Sequence, residues 1–280
     1  MFSKKQIGGD FLSFCKTELI NFGSSISENP GSEWFERHCH QKYELLYIVR
    51  GKGQCIVEGS EYPLSDGALF IFRPFEYHYV RPDSDAVYER YVCNFSEDAL
   101  MDAVKKIPFL TQKSNGIYFP KEVLDNNFCN VLVAGNSYFE RNYTSSAESE
   151  AMCISLVNSL LLMISDTAGE AADDGLIGKI IRHINRHITE KISLEETAKK
   201  FFISKYYLCR LFKKQTGLTV TAYINSKRIA MAQHLISRGE PPTAVAFSVG
   251  FGDYSTFYRA YVKETGRAPS FDSGETEDKL

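Results

Sequence analysis

Arg210-Leu211-Phe212-Lys213-Lys214-Gln215-Thr216-Gly217 returns 49 residues later as Arg259-Ala260-Tyr261-Val262-Lys263-Glu264-Thr265-Gly266. Arginine, an aromatic ring, lysine, threonine and glycine keep their spacing, and each copy closes a pattern of short helix, turn and second helix. In the first copy Leu194 to Lys200 spells the short helix and Phe201 to Ile203 the turn. Ser204 then caps a helix running to about Gln215, and Gly217 suits a left-handed stop. In the second, Thr243 to Val249, Gly250-Phe251-Gly252, the cap Asp253 and the helix Tyr254 to Thr265 take the same places. Between them Thr221 to Ser237 is an unbroken helical pattern, about 25 Å long at about 1.5 Å per residue.

Within each second helix the residues sort by face. Leu208, Leu211 and Phe212 point inward, as do Phe257 and Tyr261; Lys205, Tyr206, Cys209, Arg210 and Lys213, then Tyr254, Ser255, Tyr258, Arg259 and Lys263, occupy the outer surface. A helix of this size fits the DNA major groove, where its early exposed residues meet base edges. The candidate DNA-binding set is therefore those ten outward residues with the two caps, Ser204 and Asp253. Arg210 and Arg259 are the leading members, because a guanidinium donates bidentately to guanine or phosphate; for Arg210 a buried salt bridge is the competing reading.

Charge supports a polyanion partner for this part alone. The whole chain carries −3, yet between Gly175 and Ser270 there are 16 Lys plus Arg against 6 Asp plus Glu. That segment is thus about +10 and the remainder about −13, an asymmetry expected of a nucleic-acid-binding portion. Ahead of it, Ile177, Ile180, Ile181, Ile184 and Ile188 form one apolar face, and Ser193 with Glu196 forms a capping box.

These residues resemble the DNA-binding domain of the AraC/XylS family of transcription regulators. The resemblance spans Ile177 to Pro269 and rests on Ala198, Ser204, Leu208-Cys209-Arg210-Leu211-Phe212-Lys213, Gly217, Tyr223, Arg228, Ala232, Ala246, Val249-Gly250-Phe251, Asp253, Phe257, Arg259, Gly266 and Pro269-Ser270. Tyr261-Val262-Lys263 and Phe271-Asp272 depart from the family's usual residues. The resemblance implies double-stranded promoter DNA and RNA polymerase as partners, an activator more than a repressor, and a homodimer formed through the N-terminal half.

The N-terminal half reads differently. From Glu36 to Asn94, the runs 44–49, 53–57, 68–72 and 88–93 are β-branched and aromatic, separated by Gly, Pro, Ser and Asp turns, as in a small barrel or sandwich. His38-Cys39-His40-Gln41-Lys42-Tyr43-Glu44 with Gly51 resembles the first cupin motif, and Gly67 through Pro74 to His78 a shortened second one with Glu76 where glycine is usual. In metal-binding cupins the positions matching His38, His40, Glu44 and His78 converge on an ion, whereas cupin-like sensors of AraC-family regulators bind small effectors, often sugars, without metal. The expectation is an effector pocket, plausible for a carbohydrate, lined by Trp34, His38, His40, Glu44, Arg73 and His78, with no metal and no cofactor. Tyr47, Phe72, Tyr77 and Tyr79 could add flat apolar faces, and Arg50 or Arg81 hydrogen bonds. The alternative is a metal-dependent cupin enzyme or metal sensor using His38, His40, Glu44 and His78; a DNA-binding protein with no effector is a further rival.

Past Glu97 the period turns helical, over Asp98 to Ile107, Lys121 to Arg141 and Ala147 to Ile164. In the last of these Leu156, Val157, Leu160, Leu161 and Ile164 recur at helical spacing, a stripe suited equally to the barrel or to a second subunit. Ser165 to Gly175 is acidic, small and without apolar anchors. The resulting architecture is α+β and multidomain: a cupin-like β-barrel with a helical extension over 1–165, a linker over 166–175, and an all-α tandem helix-turn-helix domain over 176–274. Seven cysteines, none in a Cys-x-x-Cys pair, argue against a disulfide framework and a zinc knuckle. No apolar run reaches the roughly 18 residues of a membrane span and no signal core follows Met1, so no membrane partner and a cytoplasmic, non-enzymatic protein are expected.

Overall fold

β-Branched and aromatic runs in the first half pair into sheets, and the amphipathic runs of the second half pack as helices. A computed structural model describes residues 10–28, 30, 38–111, 117–141, 147–167, 169 and 175–272. The described residues fall into two compact units, one on either side of residues 173 and 174.

The first unit runs β1 (Asp10–Lys16), β2 (Ile20–Ser27), β3 (Tyr43–Arg50), β4 (Gly53–Val57), β5 (Ser60–Leu64), β6 (Leu69–Phe72), β7 (His78–Pro82) and β8 (Tyr88–Phe95). There follow α1 (Asp102–Lys105), α2 (Pro108–Thr111), β9 (Ile117–Phe119), α3 (Asn126–Arg141) and α4 (Ala147–Met163). Six strands form one antiparallel sheet in the order β1-β2-β8-β3-β6-β9, and three form a second in the order β5-β4-β7. Side chains alternate across a strand, and both faces of the large sheet are covered. Leu46, Ile48, Phe70, Phe72 and Val92 meet Cys55, Val57, Leu64 and Val80 of the small sheet. Leu45, Tyr47, Leu69, Ile71, Cys93 and Phe95 meet Phe128, Leu132, Val157, Leu160 and Leu161 of α3 and α4. Double coverage explains why residues 45–49 of β3 and the whole of β6 read as continuous apolar runs without a polar alternate.

The structure corrects several sequence expectations. Strands β1, β2, β5, β7 and β9 had no counterpart in the sequence reading; β5 and β7 carry Pro, Glu, Arg and His, which weaken a strand signature. Asp98 to Ile107 is not one helix. A 3-10 turn over Glu97–Ala99 stops at Leu100, whose ψ of 135° is extended, before α1 begins. The break is held by buried Asn158 of α4, whose Nδ2 donates to Ala99 O at 2.8 Å and whose Oδ1 accepts from Met101 N at 2.8 Å. The helix expected over Lys121 to Arg141 begins only at Asn126, after a 3-10 turn at Lys121–Val123. The stripe of α4 is spent within the chain, since Val157, Leu160, Leu161 and Ile164 belong to the core beneath the large sheet. Most of the expected linker and Trp34 lie outside the described residues.

The second unit is all helical: α5 (Leu176–Arg186), α6 (Leu194–Lys200), α7 (Lys205–Thr216), α8 (Val220–Ser237), α9 (Pro242–Ser248), α10 (Tyr254–Thr265) and α11 (Pro269–Asp272). The isoleucine face of α5 is buried as expected, except that Ile188 lies beyond its end and is half-buried. Helix α8 joins the two copies, and buried Arg228 at its middle donates through Nε to Ile188 O at 2.7 Å and through Nη2 to Glu190 O at 2.6 Å. Its guanidinium also lies 5.6 Å from the Phe251 ring centroid. One residue thus fastens the α5–α6 connection, α8 and the turn after α9. Gly250 sits at that junction with φ of 99°, and a Cβ there would stand 2.7 Å from Thr189 O and 3.0 Å from Arg228 Cζ.

Gly217 also has positive φ, 73°, but its Cβ direction is open. Gly217→Ala should therefore cost only the left-handed penalty of about 1–2 kcal/mol, whereas Gly250→Ala, which must in addition displace backbone, should cost clearly more. Urea unfolding of the two variants checks this; equal losses would show that the junction yields.

Candidate nucleic-acid interface and the barrel-end cluster

The two reading helices begin and end by the same devices. Ser204 Oγ accepts from Tyr207 N at 3.1 Å, and Asp253 Oδ1 accepts from Thr256 N at 2.7 Å, so both caps satisfy a free amide at the helix start. At the far ends Thr216 and Thr265 donate back to Phe212 O and Tyr261 O at 2.7 and 2.8 Å. Each also accepts from the backbone N–H two residues on, Leu218 and Arg267, across left-handed Gly217 and Gly266. The Thr-Gly pair of the repeat is therefore a C-terminal lock. Leu208, Phe212, Phe257 and Tyr261 are fully buried, and Phe212 meets Tyr223 of α8 edge-on at 5.4 Å.

On the outer faces Lys205, Tyr206, Arg210 and Lys213 are exposed and Cys209 is half-buried; in α10 Ser255, Tyr258, Arg259 and Lys263 are exposed. Arg210 is not in a buried salt bridge. Its guanidinium lies over the rings of Tyr206 and Tyr207, at 6.0 and 5.9 Å, which pre-orders a long side chain at the surface. Arg259 is steadied otherwise, by Nη2 donating to Thr256 Oγ1 at 3.4 Å. Lys205 is paired with Glu195 of α6, so part of its charge is spent within the free protein. Tyr254 departs from the expected outward position: it is half-buried and leans on Phe257, because the first turn of α10 closes over the core around Phe251.

Tyr207, Thr256 and Phe202 were not singled out from sequence. Phe202 is 96% exposed and has φ of 56°. It occupies the left-handed place that Gly250 holds in the second copy, one residue beyond each short helix's C-cap. Ile203 N and Phe251 N then bond to Ala198 O and Ala246 O, both at 3.0 Å, and the second turn adds Gly252 before its cap. The one-residue difference hides this equivalence from a fixed 49-residue comparison.

In the first unit the structure brings together four of the six expected pocket residues. His38 bridges to His78 through two backbone hydrogen bonds, His38 N to His78 O at 3.2 Å and His78 N to His38 O at 3.0 Å. Glu44 lies on the same face of β3 as Leu46 and Ile48, and His78 on the same face of β7 as Val80, so both aim between the sheets. The ring of Phe72 stacks on His78 at 4.0 Å. One ligand-type atom from each of His38, His40, Glu44 and His78 lies within 4.8 Å of all the others. His40 Nε2 stands 2.8 Å and His78 Nε2 3.6 Å from Glu44 Oε2. Burial alone would raise the pKa of Glu44, but the two histidines outweigh it and hold the carboxyl well below its ordinary range.

The remaining candidates point elsewhere. Arg73 is buried and turned to Glu76, which accepts from its Nε at 2.9 Å and from its backbone N at 2.8 Å, bracing the turn around left-handed Phe75. Tyr47 lies on the helix side of the sheet, its hydroxyl 3.4 Å from Cys129 Sγ. Arg50 is exposed and pairs with Glu89 at 2.8 Å, and Arg81 is exposed beside Tyr79. Among the described residues no helix is long and apolar enough to cross a membrane.

Comparison with known proteins agrees with both halves. Residues 26–132 match the AraC-like ligand binding domain, and residues 197–271 match a helix-turn-helix domain. The uncharacterized HTH-type transcriptional regulator YbfI of Bacillus subtilis is 28% identical over 79% of this chain and 80% of its own length. The HTH-type transcriptional activator RhaS of Citrobacter koseri is 27% identical over 84% of this chain and 86% of its own. Among solved structures, ToxT of Vibrio cholerae aligns with 93% of this chain and all of its own at 15% identity and a TM-score of 0.39. A ligand-binding domain followed by a DNA-binding helix-turn-helix domain makes this chain a member of the AraC family of transcription regulators.

Proposed function

We propose that the chain is an effector-responsive activator that works in the cytoplasm as a homodimer and recruits RNA polymerase. In this reading 1–165 is the sensor and dimerisation domain, 166–175 a linker and 176–274 the DNA reader. The observation that carries it is the pair of capped helices presenting Arg210 and Arg259 at equivalent positions of one frame, each side chain pre-ordered by its own neighbours. Lys205, Tyr206, Cys209 and Lys213, with Ser255, Tyr258 and Lys263, complete the two surfaces; Ser204 and Asp253 act as caps, and Tyr254 contributes its exposed edge. Because the copies differ at every reading position but the arginine, they recognise two different half-sites, and the operator has a direction.

The sensor reading rests on the polar cluster of His38, His40, Glu44 and His78 at the end of the core between the two sheets. Imidazole and carboxylate pair well with hydroxyl groups, so polyhydroxylated compounds are the first effector class to test. A relative whose name describes an activator supports the sign of regulation. Effector binding would bias the protein between two states through a difference in affinity for them.

Arg210→Ala and Arg259→Ala should each weaken binding to the chain's own upstream region by about 1–3 kcal/mol, with discrimination lost at a separate position for each. Gel shifts on operator and random fragments decide this, and equal losses on both would sink base reading by these arginines. Lys213→Ala should instead weaken all sequences alike and reduce the slope of log K against log salt by about 1; an unchanged slope would place Lys213 off the phosphates. A panel of sugars in the same assay tests the effector class, and a shift that no sugar alters would remove carbohydrate from the reading.

A further inference from the structure

We infer that Phe202, at the tip of the first helix-turn-helix, contacts DNA: its ring covers an apolar group of the duplex, a thymine methyl or a deoxyribose, at the edge of the groove that α7 enters. Such a contact rests on the reader being the half that binds DNA, and it adds recognition that needs neither charge nor hydrogen bond.

Both short helices of the repeat stop by one device. Phe202 N donates to Lys199 O at 3.1 Å and Ile203 N to Ala198 O at 3.0 Å; in the second copy Gly250 N donates to Phe247 O and Phe251 N to Ala246 O, both at 3.0 Å. This pair of hydrogen bonds puts the residue after the C-cap in the left-handed region, where glycine is at ease and a bulky side chain is strained. Gly250 fits that demand with φ of 99°, whereas Phe202 is held there at 56°.

The free reader gains nothing from the ring. Phe202 is 96% exposed, while its neighbour Phe201 does the packing, half-buried with its ring edge-on to His183 of α5 at 5.8 Å. Ile203 is half-buried too. The ring thus brings backbone strain and bare apolar surface to the uncomplexed chain, and both are accounted for by a partner that covers it.

The surroundings identify that partner. Lys199 and Lys200 end α6 and Lys205 opens α7; all three are exposed, as are Tyr206 and Arg210. An aromatic tip set among cations complements a polyanion that also carries apolar groups, which describes a DNA duplex. In a helix-turn-helix the first helix crosses the backbone and the second puts its first turn into the major groove, so the turn between them lies where sugar and phosphate give way to base edges. The apolar groups there are the deoxyribose and the thymine methyl, and phenylalanine is among the side chains that read the latter. Glycine holds the matching place in the second copy, so the contact belongs to one half-site and sharpens the difference between the two.

Phe202→Gly, made in the full chain, installs the second copy's residue. It should leave Tm unchanged or raise it, and at the same time weaken binding to the chain's upstream region about tenfold in a gel shift, as for losing much of one buried ring. The slope of log K against log salt should stay that of the unaltered chain, because a ring releases no counterions. Phe202→Tyr, which restores a ring, should recover most of the loss. Uracil placed for each thymine in turn separates the two apolar sources. A position that weakens the unaltered chain but not Phe202→Gly assigns the ring to that methyl, and the absence of one assigns it to a deoxyribose. The proposal is overturned if Phe202→Gly binds as tightly as the unaltered chain, which would leave the ring to a protein partner. It is equally overturned if Tm falls together with affinity, which would make the ring part of the fold. An unaltered chain that binds no DNA fragment would overturn the reader itself and this contact with it.

Discussion

The reader half depends on the buried guanidinium of Arg228. A charge out of water is tolerated only when its donors are met, and Arg228 meets the carbonyls of Ile188 and Glu190 while stacking against Phe251. Those partners belong to three different pieces of chain: the α5–α6 connection, the middle of α8, and the turn of the second helix-turn-helix. Because the arginine cannot move away from any of them without leaving donors unpaired, the two copies are held in one fixed frame. Gly250 is required at this junction because the backbone of Thr189 and the guanidinium occupy the space a side chain would fill. This junction holds the two short helices α7 and α10 in one frame.

In the sensor half the organising constraint is the large sheet, buried on both faces. Its helix side is mainly apolar packing, and buried Asn158 of α4 satisfies the backbone where the 3-10 turn breaks before α1. Its other side faces the small sheet and is largely apolar, with Glu44 and His78 at one end and buried Arg90, whose guanidinium lies 4.6 Å from the Tyr88 ring centroid, further along the same face of β8. A carboxylate at that depth is expensive to desolvate, and the neighbouring histidines offset the cost by holding Glu44 ionised. The same end receives the arm carrying His38 and His40.

The helical half was legible in its frame, because caps, stops, inward rings and most outward charges lie within three or four positions of one another. The strands were half legible. Runs such as 44–49 and 68–72 announce themselves by composition, whereas β5 and β7 are built from mixed residues and become strands only by pairing with β4. The pocket residues divide in the same way. His38, His40, Glu44 and His78 could be grouped from spacing, but nothing local showed that Arg73 would be taken by Glu76, that Tyr47 would face the helices, or that Tyr254 would lean inward.

By itself, then, the sequence determined the class of each half, the tandem frame of the reader and the identity of the residues available for chemistry, because those follow from short-range periodicity, capping and charge. Only the tertiary structure decided which of them meet. The convergence of His38, His40, Glu44 and His78, the turn of Tyr47 to the helix side of its sheet, and the equivalence of Phe202 with Gly250 depend on strand register, side-chain direction and turn length. Those are set by how separate pieces of chain pack together, and a one-residue change in any of them sends a side chain to another face.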